Sequence, residues 1–285
     1  MERLPLPPSH WPQPLAPLGG VVWLLCLVTL ATAGCLGQTR VQLPQEDLLT
    51  RGQLRIHHDF ELPSEHRLVS ELAELRGDIL TRLELPSSDE PIHVYLFEDH
   101  DQFGTYVSSH FPEFPARRAF VTRSDTTLSV YAYWGDQVGD DLRHETTHAY
   151  LHSVVPQLPL WLDEGLAEYF ELPRGSHGFH REHLRYLARR RMEGEWVPNL
   201  ERLEQIASSG QMRQADYAEA WLWTHFLLNS SPELSAWTRG RLFEMRRSGD
   251  SPLWAGDVES LTGGSRAAAE THLAALLRLD DEPAQ

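Results

Sequence analysis

The residues best able to do chemistry are His144, Glu145 and His148, which stand in the run His144-Glu145-Thr146-Thr147-His148. On a helix, residues four apart lie about 40° apart around the axis and roughly 6 Å along it. Two imidazoles so placed can converge on one Zn²⁺ at about 2.0–2.1 Å each. Glu145 is rotated about 100° from His144. It therefore flanks the metal as a general base for an activated water rather than binding the ion. No Gly or Pro interrupts 140–155, and the Asp140-Asp141 pair suits the first turn of a helix.

A metal held by two histidines needs a third protein ligand. His152 lies about 12 Å along a straight helix from His144, too far to share an ion with it, and reads as a polar neighbour on the flank. Glu164 is the better candidate. The segment Leu160-Trp161-Leu162-Asp163-Glu164-Gly165-Leu166-Ala167-Glu168-Tyr169-Phe170-Glu171 reads as a second helix, with Glu164 and Glu168 on one otherwise apolar face. Carboxylates on such a face are costly unless paired or metal-bound. Glu164 can complete the ligand set from an antiparallel neighbouring helix. Glu168, one turn on, is expected to accept a hydrogen bond from the free ring N–H of a ligand histidine, His144.

The elements that must position these residues can be read around them. Ser64–Leu85 is predicted as an amphipathic helix, with Ser64 able to cap it and Pro86 ending it. Strands are expected at 92–97, 119–122 and 128–133, and a short helix after Asp99. Further helices are expected at about 139–153, 160–171, 179–191, 214–229, 232–247 and 265–278. Strands first and helices later give an α+β fold, a small mixed sheet with an active-site helix and a mainly helical C-terminal half.

The pattern resembles the gluzincin clan of zinc metallopeptidases. More closely, it resembles the peptidase-MA-like domains of bacterial exported proteins. The likeness is carried by His144-Glu145-Thr146-Thr147-His148 together with Trp161-Leu162-Asp163-Glu164-Gly165. It is densest over 140–171 and looser from 92 to 229. The resemblance implies a zincin-like fold, one Zn²⁺ held by His144, His148 and Glu164, and Glu145 as catalytic base. It implies that Tyr217, in Tyr217-Ala218-Glu219-Ala220-Trp221, stabilises the oxyanion. It also implies that the edge of the sheet holds an extended peptide, for which Ser129–Tyr133 is the candidate strand, with Tyr131 and Tyr133 touching substrate. No Gly-x-Met-Glu-Asn motif is present, so an endopeptidase is favoured over an aminopeptidase.

Composition bounds the alternatives. The 285 residues include 41 Asp and Glu against 25 basic residues, all of them Arg, giving a net charge of -16. Such a surplus repels phosphate backbones, so nucleic acid is not expected as a partner. The apolar run at 21–33 is followed by Thr32-Ala33-Gly34-Cys35, which resembles a lipobox. Residues 1–35 thus read as a signal peptide or membrane anchor, lipid-linked through Cys35 or transmembrane. Residues 36–63 read as a tether and lead-in, and 64–285 as the metallopeptidase domain. The expected activity is peptide-bond hydrolysis outside the cytoplasm. The competing readings are a zincin-fold scaffold without turnover and a hydrolase of non-peptide amides or esters.

Overall fold

The computed structural model describes residues 41–114, 117–124 and 126–281. The apolar run at 21–33 and Cys35 lie outside them. No helix among the described residues is long and apolar enough to cross a membrane. The chain is α+β, with one five-stranded mixed sheet and ten α-helices among the described residues.

Two strands, β1 (Asp47–Arg51) and β2 (Leu54–His58), form an antiparallel hairpin that turns at Gly52 with positive φ. The expected lead-in at 36–63 is thus corrected over 47–58. The five-residue strands are short and β1 is largely exposed, so little alternation marks them. Helix α1 (Arg67–Leu83) crosses over to β3 (Ile92–Phe97), which pairs parallel with β2. His66, not Ser64, caps α1, its Nδ1 accepting from Leu68 N at 3.3 Å. After α2 (His100–His110) come β4 (Ala119–Arg123) and β5 (Leu128–Tyr133).

The strand order is β1-β2-β3-β5-β4, so β5 is paired on both sides, parallel to β3 and antiparallel to β4. This corrects the expectation that Ser129–Tyr133 forms the edge. Its backbone groups are committed to neighbours, and β4 is the edge strand on that side of the sheet. The period of two then divides the strands. Ile92, Val94, Leu96, Leu128, Val130 and Ala132 join the main core, whereas Phe97, Phe120 and Tyr131 join Phe103 and Tyr106 of α2 in an aromatic cluster.

Helix α3 (Val138–His152) packs on β4, β5 and α1. Helix α4 (Leu160–Phe170) lies between α3 and α7 (Gln214–Asn229) and is buried at every residue. The remaining helices are α5 (Arg181–Met192), α6 (Leu200–Glu204), α8 (Pro232–Ser248), α9 (Ala255–Thr262) and α10 (Ser265–Asp281). They enclose α4 and α7 from the far side, so the candidate metal-binding helices are gripped between a sheet and a helical layer.

Gly165 sets how closely α4 and α7 approach. A Cβ at this position would overlap the Ala220 carbonyl and Thr224 Oγ1 of α7. Backbone cannot yield as a flexible side chain does, so the helices would have to separate. Gly165→Ala should therefore destabilise the protein by about 1–3 kcal/mol in denaturant unfolding. An unchanged unfolding midpoint would show that α4 and α7 do not pack at this distance.

Candidate metal centre

The two helices that carry the sequence motif bring three donors to one point. His144 Nε2 and His148 Nε2 lie 3.2 Å apart. Glu164 Oε2 is 3.6 Å from the first and 3.5 Å from the second. Ligands about 2.0–2.1 Å from an ion in tetrahedral geometry are about 3.3–3.4 Å from one another. The observed triangle therefore has the dimensions of one face of such a site. The sequence assignment of His144, His148 and Glu164 to one cluster matches this placement.

The far side of each ring is held by a carboxylate. His144 Nδ1 donates to Glu171 Oε2 at 2.8 Å, and His148 Nδ1 donates to Asp163 Oδ1 at 2.9 Å. A carboxylate only accepts, so each ring spends a proton on Nδ1. In the neutral rings, both Nε2 lone pairs then point at each other and at Glu164. Three lone pairs within 3.6 Å repel unless a positive charge lies among them. Protons on Nε2 or a divalent cation would supply that charge, and the donor set of two imidazoles and a carboxylate fits such an ion.

The electrostatics agree with the geometry. Burial opposes a charged His148, but Asp163 and Glu164 overcome it and raise its pKa to about 10. Burial likewise disfavours an ionised Glu164, but His144 and His148 hold it down at about 2. His144 is raised by Glu164 and Glu171 against its own burial. Asp163 is held well below the usual carboxylate range because His148 and His152 outweigh its desolvation.

Glu145 differs from these carboxylates. It is buried but has no hydrogen-bonding protein partner among the described residues, and desolvation raises its pKa. It lines both of the cavities that flank the cluster. The larger, about 990 Å³, also takes in His144, Glu168, His183, Tyr133 and Tyr217. The smaller, about 270 Å³, lies beside His148 and Glu164 and is walled by Phe114, Phe120, Val121 and Leu160. Tyr217, at the start of α7, faces the larger cavity with its hydroxyl 3.5 Å from Ser209 O. Burial and the Glu164 charge push its pKa up to about 12, so it remains a donor at neutral pH.

Two expectations are corrected here, and one residue was missed. Glu168 does not support His144. It is bonded instead to His183 Nε2 at 2.7 Å, and Glu171 serves His144. Glu171 lies just past the end of α4, seven residues from Glu164, where the 164, 168, 171 spacing continues the same face for two turns. Sequence reading also missed Asp163, which bridges His148 and His152 through its two oxygens. Tyr131 lines neither cavity. Its ring stacks on Phe120 at 4.9 Å in the aromatic cluster, because β5 turns alternate residues to that side of the sheet.

A family model described as "Protein of unknown function (DUF1570)" matches residues 140–239, from the start of α3 to the middle of α8. No curated protein matches the chain.

Two outcomes follow from this arrangement. Asp163→Asn should weaken divalent-metal binding about 10–100-fold by calorimetric titration, because the orientation of His148 is lost. Unchanged affinity would remove Asp163 from the design. In chelated protein, His148 contributes stability fully below its ordinary pKa of 6.5 and loses it as pH rises towards about 10. Glu164 contributes above its ordinary 4.5 and loses it as pH falls towards about 2. The metal-free Tm should therefore fall from pH 6.5 to 10. Zn²⁺ affinity should rise over the same range as protons stop competing. A metal-free Tm that rises with pH there contradicts the assigned proximities.

Proposed function

We propose that the protein is a zinc-dependent peptidase of the gluzincin type, with a zincin-like arrangement of α3 and α4 behind the edge of the sheet. The observation that carries this reading is the convergence of His144, His148 and Glu164 at 3.2–3.6 Å beside a buried carboxylate, Glu145, with no hydrogen-bonding partner among the described residues. A Zn²⁺ held by that triad supplies Lewis-acid polarisation of a carbonyl and lowers the pKa of a water towards 7.

The chain's own groups do the rest. Glu145 takes a proton from the attacking water and delivers one to the departing amine. Desolvation raises its proton affinity, which suits both halves of that exchange. The Tyr217 phenol donates where negative charge develops on the substrate oxygen. Tyr133 lines the approach, and β4, at the edge of the sheet, is the strand against which an extended peptide can lie. The absence of a Gly-x-Met-Glu-Asn motif favours an endopeptidase over an aminopeptidase. The apolar run at 21–33 supports an activity outside the cytoplasm, on a chain tethered at its N-terminus by Cys35 or a membrane helix.

Glu145→Gln tests the reading. The variant should keep its zinc and lose about 10²–10⁴-fold in hydrolysis of a mixed peptide library. Undiminished hydrolysis would remove Glu145 from catalysis. Stoichiometric zinc with no hydrolysis in the unsubstituted protein would favour the scaffold reading.

A further inference from the structure

A second group of donors lies in the same large cavity, on the side away from His148. His180 caps α5 and His183 sits in its first turn. Residues three apart share a helix face, and here their rings stack with centroids 3.8 Å apart and planes 18° from parallel. Both Nε2 atoms turn to one oxygen of Glu168, at 2.7 Å from His183 and 3.7 Å from His180. Glu171 adds Oε1, 3.1 Å from His180 Nε2, while its Oε2 holds His144. His180, His183 and Glu168 thus offer three ligand atoms within 4.8 Å of one another. Glu168 and His180 are buried, and all three line the cavity.

We propose that Glu168, His180 and His183 form a second divalent-cation site, adjacent to the His144–His148–Glu164 centre and linked to it by Glu171. The ligand class is a borderline ion that accepts nitrogen and oxygen donors, such as Zn²⁺, Co²⁺ or Mn²⁺. Glu168 and Glu171 bring two negative charges to the cluster, which one divalent ion matches. Binding through His180 Nε2 puts the ring proton on Nδ1, which gives up the long 3.4 Å contact from His183 N and exchanges the Nε2–Glu171 hydrogen bond for a shared ion. Glu171 then acts with one oxygen on each centre, so occupancy of the second site fixes the carboxylate that orients His144.

The test is the number of ions retained by the full chain. The protein is stripped with chelator, loaded with Zn²⁺ alone, passed through a desalting column and analysed for metal. The unsubstituted chain should retain two ions. His148→Ala should retain one, through the second site, and His183→Ala should retain one, through the first. Glu168→Gln, which preserves shape, should also retain one and guards against a fold defect in His183→Ala. If the unsubstituted chain holds one ion, lost in His148→Ala and kept in both His183→Ala and Glu168→Gln, the second site is refuted while the first stands. If it holds none, both are refuted.

Discussion

Helix α4 is the constraint on which the structure depends. It is buried along its whole length, yet it carries Asp163, Glu164 and Glu168, with Glu171 immediately after it. Ionised carboxylates out of water cost several kcal/mol each unless paired. Each is met by imidazole: Asp163 by His148 and His152, Glu164 by His144 and His148, Glu168 by His183, and Glu171 by His144 and His180. Five histidines from two neighbouring helices thus answer four acids from a third. Removing one member leaves a buried charge with fewer partners to compensate it.

The same pairing makes a tool of the cluster. Because Glu171 and Asp163 occupy the Nδ1 sides, the Nε2 sides of His144 and His148 are left facing each other and Glu164. Without a metal, protons shared with Glu164 hold these atoms together, and packing keeps them in place. The grip comes from the sheet on one side of α3 and from α7 on the far side of α4, where Gly165 admits the Ala220 backbone. A preset triangle of donors would spare a bound ion the cost of organising its ligands. Glu145, alone among the acids nearest the triangle, has no hydrogen-bonding partner among the described residues and lines both cavities.

Much of this was legible from residue types and spacing. His144, Glu145 and His148 sit on a helix that runs from 138 to 152, and Glu164 comes from the antiparallel neighbour that its apolar face required. The α+β order of elements was readable from strands that preceded helices. What escaped was set by tertiary pairing. Whether Glu168 or Glu171 meets His144 depends on the tilt between α3 and α4, which periodicity does not encode. Asp163 looks like an ordinary first-turn acid until α3 is laid beside it. The order of β4 and β5 is equally invisible, since both strands have similar apolar content and only pairing shows which is outside. The β1–β2 hairpin is too short and too exposed to announce itself.

X-ray absorption at the zinc edge of the loaded, purified His183→Ala chain, where only the triad is offered, tests the central claim most directly. The account predicts a first coordination sphere of imidazole nitrogen and carboxylate or water oxygen at about 2.0–2.1 Å, with two imidazoles contributing. It further predicts that this spectrum disappears when Glu164 and His148 are also replaced by alanine. A sphere of oxygen alone, or a spectrum indifferent to those two substitutions, would contradict it.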